Sequence, residues 1–278
     1  MPWSGRCLLA VFAHPDDEVL YGGLLADAAA RGARVVLAPA TRGEAGRVLD
    51  PAMAPVDDMA ALRSVEAEQA CRALGVEGPR FLGFHDSGRG ARLRRDDPRA
   101  LVNADFLELV RAVVDLIADV RPHVVVTHEP LGGYYHPDHI TVHRAVTAAF
   151  FAAGTLGIHA PRRLLFGARG HAEFLHLIEA LRGRGVTDGL DADLFGAAPE
   201  MVALSFDAVP WRNRKLAAIA AHRSQFGLTL ENIDAPPPGR PADIARAFGP
   251  LLDRELYLLG GTRAPVPHWP LRDTFDGL

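Results

Sequence analysis

The sequence predicts an α/β fold in which a Rossmann-like, doubly wound and mainly parallel sheet is flanked by helices. Short apolar runs typical of buried strands alternate along the chain with longer segments of helix-forming residues, and the links between them are short. The chain has 278 residues, of which 49% are hydrophobic, so it can build one large core. We therefore expect a single domain over residues 1–278, with a core at about 7–226 and a C-terminal extension at 227–278.

The first part of the chain carries three predicted strands and two predicted helices. Cys7 to Ala13 and Arg34 to Pro39 are apolar runs of strand length, and Arg80 to Phe84 is a third. Helix formers fill Leu20 to Arg31 and Met59 to Leu74, and a glycine follows each segment as a helix stop. This order of elements is typical of β/α units.

The alternation continues in the middle of the chain. Ala104 to Val120 places apolar side chains on one face at the helical period, and His123 to His128 predicts a fourth strand. A helix is expected over Pro137 to Ala153, because proline is tolerated in the first helical turn. Arg163 to Phe166 and Met201 to Phe206 predict two more strands.

The remaining segments are less regular. Gly167 to Glu200 contains a helix-like piece, His171 to Leu181, between Gly- and Asp-rich links, and we interpret it as an irregular insertion that shapes the pocket. Pro210 to Gln225 predicts a helix. Asp234 to Pro241 holds four prolines and predicts an extended surface loop.

Composition excludes several classes of protein. A net charge of −4, from 30 basic and 34 acidic residues, gives no general attraction for nucleic acid, and basic residues are dispersed apart from short clusters such as Arg92 to Arg95. The two cysteines, Cys7 and Cys71, support neither a disulfide framework nor a cysteine metal site. No apolar stretch reaches the ~18 residues of a membrane span, and we expect no removable signal peptide, because the first residues lead directly into the first strand. We expect a cytoplasmic protein with a small-molecule partner, and a homo-oligomer is compatible with the sequence.

Two short motifs carry the chemistry. Ala13-His-Pro-Asp-Asp-Glu18 follows the first predicted strand, and His136-Pro-Asp-His139 follows the fourth. In open sheets of this type, ligands bind in the crevice beyond the carboxyl ends of the strands. The two motifs are therefore expected to meet at one site, although they are far apart in the sequence.

The residue types in these motifs are those of a catalytic zinc site. Such a site uses three protein ligands, His nitrogens or carboxylates, and keeps an open position. We choose His14, Asp17 and His139 as the ligands. The same set also suits Fe(II), as in the two-His-one-carboxylate oxygenases. The expected cofactor is Zn²⁺, with Fe²⁺ as the alternative in the same site.

The neighbouring residues have candidate catalytic roles. His136 and His139 lie on the same face near the start of one helix, so both can point into the crevice. His136 could polarise a carbonyl, stabilise an oxyanion or protonate a leaving amine. Asp16 could accept the proton of metal-bound water. The competing interpretation is that Asp16 and Asp17 only cap a helix, and that the second motif only begins a surface helix. The occurrence of both motifs after core strands favours the metal site.

The sequence gives less support to other classes of enzyme and binding protein. A nucleotide-binding protein on the same fold lacks support because the chain has no G-x-G-x-x-G motif. A serine hydrolase lacks support because no G-x-S-x-G elbow occurs. A non-haem iron oxygenase remains an alternative, although an uncommitted carboxylate and a second histidine suit hydrolysis better.

The two motifs resemble the first and second signatures of the LmbE-like or PIG-L family of zinc-dependent N-deacetylases, in the family's order and separation. That family includes N-acetylglucosaminyl-phosphatidylinositol deacetylases and the bacterial mycothiol and bacillithiol biosynthetic deacetylases. The resemblance implies the zinc ligands chosen above, with Asp16 as general base and His136 as the electrophilic or acid residue. It covers most of residues 7–226, where further matches are the T-x-G-E loop at Thr41 to Glu44, the R-x-x-E helix at Arg63 and Glu66, the DSG turn at Asp86 to Gly88, and the H-x-S-Q element at His222 to Gln225.

The resemblance also implies roles for the outer site. Tyr134 matches the tyrosine that helps the transition state in the mycothiol branch, with simple packing as the alternative. Arg63 and Asp86 resemble its sugar-binding residues, with salt bridging or turn stabilisation as the alternative. Glu44 is expected to contact substrate or to end a loop. Asp138 and His222 are expected to support the site from behind, and His128 is the histidine outside the motifs with the strongest claim to a role.

The resulting function is a metal-dependent hydrolase that removes an acetyl group from an N-acetylated amino-sugar conjugate of the N-acetylglucosaminyl type. The nearest alternative is an amidase that acts on a larger thiol or natural-product conjugate.

Overall fold

A mixed six-stranded sheet forms the centre of the molecule. The computed structural model describes residues 1–183 and 189–278. The strand order is β2-β1-β3-β4-β6-β5; β1 to β4 pair in parallel, and β6 is antiparallel to both neighbours. This confirms the predicted α/β class with a mainly parallel sheet. The strands are β1 (Cys7–Phe12), β2 (Arg34–Pro39), β3 (Val124–His128), β4 (Arg163–Ala168), β5 (Val202–Asp207) and β6 (Arg254–Thr262).

Helices cover both faces of the sheet, and two of them, α2 and α5, have the bounds that the sequence predicts. In the described parts of the chain they are α1 (Gly22–Ala30), α2 (Met59–Leu74), α3 (Phe106–Val120), α4 (Gly132–Tyr135), α5 (Pro137–Ala153), α6 (His171–Ala180), α7 (Arg212–Ala221), α8 (Arg223–Phe226) and α9 (Arg240–Phe248).

The alternation of side chains along β1 explains the two helical layers. All six residues of β1 are buried. Leu9 and Val11 pack in one apolar cluster with residues of α3 and α5, whereas Leu8 and Phe12 pack in a second cluster with residues of α1. Successive side chains of a strand point to opposite faces. A strand that is apolar at every position is therefore buried between two layers, as expected for a parallel sheet.

The predicted strand at Arg80 to Phe84 is wrong in detail. This segment is extended and runs beside β2, where the N–H groups of Arg80 and Phe84 donate to the carbonyls of Leu37 and Ala40 at 2.9 and 3.1 Å. It forms one isolated bridge, between Phe84 and Thr41, and no regular strand. Gly83 has a φ of +90°, which turns the chain out of a continuous ladder.

The last strand lies in the segment that the sequence treats as an extension. Strand β6, within residues 227–278, is inserted between β4 and β5. The buried Glu255 carboxylate accepts the N–H groups of Gly23 and Leu24 at 2.7 and 2.9 Å, and so caps the start of α1. The C-terminal segment therefore contributes a strand to the sheet, and its Glu255 holds the start of α1.

The irregular segments also differ from the simplest expectation. The predicted helix over Pro210 to Gln225 is interrupted at His222, whose backbone leaves the helical conformation between α7 and α8. The predicted loop at Asp234 to Pro241 runs into α9, which the sequence did not predict. The predicted insertion at 167–200 contains α6, and its residues 184–188 lie outside the described part of the chain. Across the described ranges, no helix is long and apolar enough to cross a membrane.

Candidate functional site

Both motifs lie at the carboxyl edge of the parallel strands. The first begins one residue after β1, and the second begins α5 after the loop that leaves β3. This edge opens into a cavity of about 540 Å³, a volume typical of small-molecule sites. His14, Asp16, Asp17 and His136 line the cavity. The sequence argument from strand ends therefore places the two motifs together correctly.

The three predicted ligands converge on one point. His14 Nδ1 lies 3.2 Å from His139 Nε2, and His139 Nε2 lies 3.2 Å from Asp17 Oδ1. His14 Nδ1 lies 3.6 Å from Asp17 Oδ2. Around a tetrahedral zinc ion, bonds of about 2.0–2.1 Å separate the ligand atoms by roughly 3.3 Å. The three side chains are therefore spaced as ligands of a single cation would be.

Other donor atoms crowd the same point. Within 4.8 Å of one another lie the donors of His14, His136 and His139, and those of Asp17, His128 and His139. The Nε2 of His128 accepts the N–H of Ala13 at 3.0 Å, so that lone pair is occupied. Its ring stacks on His139 with centroids 4.0 Å apart. His128 therefore supports the centre by hydrogen bonding and packing.

Hydrogen bonds orient both histidines that the sequence predicts as ligands, with one ring nitrogen of each directed at the candidate centre. His139 Nδ1 lies 3.1 Å from the carbonyl of Gly132, which assigns the proton to Nδ1 and leaves Nε2 free. His14 Nε2 lies 3.1 Å from Asp138 Oδ2, which assigns its proton to Nε2 and leaves Nδ1 free. Asp138, for which the sequence predicts a supporting role, contacts the ring nitrogen of His14 that does not face His139.

The charge balance of the centre suits a divalent cation. Three buried carboxylates, those of Asp17, Asp86 and Asp138, surround His14. The Oδ1 atom of Asp138 is buried and has no hydrogen-bond partner in the described part of the chain. Burial opposes ionisation of Asp17, but the charges of His139 and His128 and their hydrogen bonds hold its pKa well below the usual value. A cation would compensate this excess of negative charge.

Asp16 points away from its neighbour Asp17. Its backbone φ is +101°, a left-handed conformation that is uncommon and costly for a residue other than glycine. Its Oδ2 accepts from Arg63 Nη2 at 2.6 Å. Burial raises the pKa of Asp16 to about 6, Arg63 opposes this shift, and Asp17 adds to it. The strained turn thus presents the Asp17 carboxylate to the candidate metal centre and the Asp16 carboxylate to the cavity.

A buried pair holds this turn in place. The Oε2 atom of Glu18 accepts the N–H of Asp16 at 2.9 Å, and its Oε1 lies 2.5 Å from His222 Nε2. Both Glu18 and His222 are fully buried. Burial lowers the pKa of His222, but the charge of Glu18 and the hydrogen bond to it, with Asp16, raise the pKa overall. The backbone break at His222 aims its ring at Glu18.

Replacing His222 by leucine is expected to destabilise the protein by about 3–5 kcal/mol, because it leaves the buried Glu18 without its charged partner. Folding raises the pKa of His222. The ion pair with Glu18 therefore stabilises the folded protein fully at pH values below the ordinary imidazole pKa, and this stabilisation is lost as the pH rises through the pKa that His222 has in the folded protein. The free energy of unfolding of the wild type and of His222→Leu can be measured in urea from pH 6 to pH 9. The difference between the two proteins should become smaller as the pH rises. A difference that grows with pH would contradict a charged His222.

His136 lies beside the ligands with one nitrogen directed to the cavity. Its ring centroid is 4.6 Å from that of His14 and 4.8 Å from that of His139. Its Nδ1 accepts the N–H of Asp138 at 3.3 Å, which assigns the proton to Nε2. Burial lowers the pKa of His136 well below the usual value, and the charges of His14 and His139 lower it further. The geometry therefore presents a neutral imidazole that donates through Nε2.

Tyr134 forms part of the cavity wall in α4, a short irregular turn before α5 in which Gly133 and Tyr134 have non-helical backbone angles. Gly132 and Gly133 both adopt positive φ, which lets the loop turn sharply and places the tyrosine ring 5.4 Å from the ring of His139. The guanidinium of Arg89 lies 4.8 Å from the centre of the Tyr134 ring. Burial, and then the charge of Asp17, raise the pKa of Tyr134 to about 12, so its hydroxyl stays protonated at neutral pH.

The predicted sugar-binding residues are partly engaged within the protein. Arg63 lines the cavity but also donates to the carbonyls of Gly43 and Pro15, in addition to Asp16. Asp86 lines the cavity beside His14 and accepts from the backbone of its own turn.

Glu44 lies behind that turn. Its carboxylate accepts the N–H of Asp86 at 3.0 Å, and Glu44 is not among the residues that line the described cavity. The sequence allows Glu44 either to contact substrate or to end a loop, and in the structure its carboxylate binds the backbone of the neighbouring Asp86 turn. The sequence analysis gave no role to Glu18, although it ends the first motif, or to Arg89 and the further arginines of the cavity wall, because a single charged residue does not specify its partner.

Comparison with known proteins identifies the family. Residues 9–150, just over half of the chain, match the PIG-L family, described as GlcNAc-PI de-N-acetylase. The chain belongs to the PIG-L family. The matched region begins in β1 and ends in α5, so it contains both motifs and all three predicted ligands.

Individual relatives extend the match of this PIG-L protein beyond that region. It is 36% identical to the 1D-myo-inositol 2-acetamido-2-deoxy-alpha-D-glucopyranoside deacetylase of Acidothermus cellulolyticus, over 98% of this chain and 95% of the relative. A conserved protein from Thermus thermophilus has a similar structure, with a TM-score of 0.59 and 25% identity, over 94% of this chain and 97% of that one. The N,N′-diacetylchitobiose deacetylase of Pyrococcus horikoshii shares the fold, with a TM-score of 0.59 and 16% identity, over 91% and 83% of the two chains.

Proposed function

We propose that this PIG-L protein is a zinc-dependent N-deacetylase that removes acetate from an N-acetylglucosaminyl conjugate. The convergence of His14 Nδ1, an Asp17 carboxylate oxygen and His139 Nε2, at 3.2–3.6 Å from one another, carries the proposal. The relative from Acidothermus cellulolyticus, named as an acetamido-deoxy-glucopyranoside deacetylase, supports the substrate class because the match covers 98% of this chain.

The three ligand residues would hold the cation, and the cavity would admit the acetamido group beside it. A zinc ion held by two imidazoles and one carboxylate supplies Lewis acidity, which polarises an amide carbonyl and acidifies water. The hydrogen bonds to Asp138 and to the Gly132 carbonyl orient the two rings so that Nδ1 of His14 and Nε2 of His139 face one point, where their lone pairs would hold the cation. The protein thus contributes a preorganised site with an open position toward the cavity.

Asp16 would act as the general base. Arg63 orients its carboxylate through a bond of 2.6 Å, and a pKa raised to about 6 keeps it ionised at neutral pH yet basic enough to accept a proton from water. The same carboxyl, once protonated, can return the proton to the departing amine. In this role the Asp16 turn needs the support of Glu18, since a shift of the backbone would misplace the base.

His136 and Tyr134 would stabilise the oxyanion that forms from the amide carbonyl. Each is a neutral group that can donate a hydrogen bond at neutral pH. The Nδ1 of His136 accepts the N–H of Asp138, so its Nε2 carries the proton, and the raised pKa of Tyr134 keeps its hydroxyl protonated. Neutral donors fixed beside the reacting carbonyl lower the energy of the developing charge without rearrangement. Of the three roles open to His136, the structure favours oxyanion stabilisation.

The function is tested by acetate release. Zinc-loaded protein should release acetate from methyl 2-acetamido-2-deoxy-α-D-glucopyranoside, and treatment with a chelator should abolish this activity until zinc is restored. Simple alkyl acetamides serve as the control and should be poor substrates, because they lack the hydroxyl groups that a sugar site pairs with. Hydrolysis of the alkyl acetamides with none of the sugar would contradict the amino-sugar assignment. Oxygen consumption by the Fe(II)-loaded protein without acetate release would instead indicate an oxygenase.

A further inference from the structure

A short turn between β3 and α5 carries two functions of the candidate site. It spans residues 131–135, and we call it the Tyr134 turn. The carbonyl of Gly132 lies 3.1 Å from Nδ1 of His139, and the ring of Tyr134 lines the cavity 5.4 Å from the ring of His139. A shift of this turn would therefore disturb both a candidate metal ligand and a candidate oxyanion donor.

The backbone of the Tyr134 turn is strained. Gly132, Gly133 and Tyr135 have φ values of +63°, +73° and +58°. Glycine adopts positive φ readily, whereas a bulky residue such as Tyr135 rarely does. A side chain at position 132 would also meet the Cβ of His139 at 2.8 Å, so the turn approaches α5 closely. A strained conformation of this kind persists only where neighbouring groups hold it.

Packing contributes little to holding the turn, because its residues line two cavities. Tyr134 lines the cavity that contains the candidate metal centre. Leu131 and Gly133 line a second cavity of about 200 Å³. Tyr135 is 39% exposed, and its ring makes an edge contact with Phe195, with centroids 4.7 Å apart. A wall between two cavities has few neighbouring atoms, so its position depends on hydrogen bonds.

Glu129 accepts those hydrogen bonds from the end of β3. It directly follows His128, the last residue of that strand. Its Oε2 accepts the N–H of Leu131 at 2.7 Å, and its Oε1 accepts the N–H of Gly133. Its backbone carbonyl accepts the N–H of Gly132 at 2.9 Å. Three successive N–H groups of the Tyr134 turn therefore bind one residue beside a buried strand.

The Glu129 carboxylate serves only this turn in the described part of the chain. Among residues 1–183 and 189–278, it has no other hydrogen-bond partner and no ion-pair partner. It is half-buried and lines the second cavity, but not the cavity that contains the candidate metal centre. Hydrogen bonds from N–H groups to a carboxylate are stronger than those to a neutral acceptor. An effect of Glu129 on the site must therefore pass through the turn.

We infer that Glu129 is a positioning residue that holds the Tyr134 turn, and that it thereby orients His139 and places the Tyr134 hydroxyl. The inference rests on the proposed deacetylase function, in which His139 holds zinc and Tyr134 donates to the oxyanion. Ligands and oxyanion donors work only when they are held close to the productive geometry. Glu129 would supply that restraint without touching substrate or metal.

Zinc affinity tests the orientation of His139 without any turnover. In competition with a chromophoric chelator, Glu129→Ala should bind zinc about 10-fold more weakly than the wild type, as is typical when the support of a ligand is lost. Glu129→Asp should stay within about 3-fold of the wild type, because an aspartate can still accept the N–H two residues further on. A wild-type zinc affinity in Glu129→Ala would overturn the inference.

Two further variants guard against a general loss of structure. Asp207→Ala is the matched control, because Asp207 ends β5, accepts the N–H of Val209 at 3.1 Å and lines neither cavity. It should bind zinc as the wild type does. If Glu129→Ala does not fold, Glu129→Gln replaces it, because the amide oxygen can accept only one of the two N–H groups. An unchanged zinc affinity in Glu129→Gln would then overturn the inference.

A double-mutant cycle tests whether Glu129 also acts through Tyr134. With saturating zinc and methyl 2-acetamido-2-deoxy-α-D-glucopyranoside, Glu129→Ala should lower kcat by about 10-fold, with a smaller change in KM. In a Tyr134→Phe background the same substitution should lower kcat by less than about 2-fold, because the hydroxyl that the turn places is already absent. Equal losses in both backgrounds would overturn the inference, since Glu129 would then act elsewhere.

The two readouts separate this inference from the proposed function. If the zinc-loaded wild type releases no acetate from any sugar, the proposed function fails. The zinc affinities then decide the role of Glu129 by themselves. A loss of about 10-fold in Glu129→Ala beside an unchanged Asp207→Ala supports it, and equal affinities overturn it.

Discussion

Replacing His139 by alanine is expected to remove the bound metal and the activity together. His139 Nε2 is 3.2 Å from both His14 Nδ1 and Asp17 Oδ1, so its loss leaves a two-ligand site. Loss of a supporting residue outside the ligand set typically costs about 10–100-fold in metal affinity, and loss of a ligand should cost more than about 100-fold. Metal content after dialysis, measured by atomic emission, and acetate release from the same sample check this prediction.

A histidine on the same helix provides the control for that experiment. His143 lies one turn after His139 on α5, is buried, and contacts the His128 carbonyl through Nδ1 at 2.8 Å instead of facing the centre. His143→Ala should retain its metal. A fully active, metal-replete His139→Ala protein would remove the proposed ligand set, whereas metal loss in both variants would indicate a general effect of disturbing α5.

Replacing Asp16 by asparagine is expected to keep the metal and to lower turnover by on the order of 10²–10⁴. The amide preserves the shape of the side chain and can still accept from Arg63, but it cannot accept the proton of the attacking water. Asp16 approaches Arg63, while Asp17 approaches His14 and His139, so the two adjacent carboxylates should respond differently.

The neighbouring position supplies the comparison. Asp17→Asn should weaken metal binding, because it removes a charged ligand, whereas Asp16→Asn should match the wild type in metal content. Metal titration and single-turnover kinetics on both variants distinguish the roles. Equal metal loss in the two variants would make Asp16 a ligand, and near-normal turnover of the metal-loaded Asp16→Asn protein would exclude it as the base.

Local patterns in the sequence were sufficient for the fold class and for the candidate metal centre. The apolar runs at β1 and β3, and the helix signals of α2 and α5, depend on residues close together in the chain. The rule that ligands bind at the carboxyl ends of parallel strands then brought His14 and His139 together across 125 positions. The residue types of the motifs were sufficient to identify the candidate donor atoms for a metal ion.

Long-range contacts decided the rest. Strand β6 pairs with β4 and β5, and the extended segment at 80–84 lies beside β2 without entering the sheet. Neither outcome can be read from composition, because a short apolar run does not specify its partners.

Only the tertiary structure shows which residues of the outer site hold other residues in place. Arg63 orients Asp16, Glu44 holds the backbone of Asp86, and His222 reaches Asp16 through Glu18. The sequence by itself specified the candidate donor atoms for a cation, because these depend on residue type and on position at a strand end. The direction and the partners of each charged side chain depend on which loops meet at the carboxyl edge of the sheet. Only the tertiary structure therefore determines them.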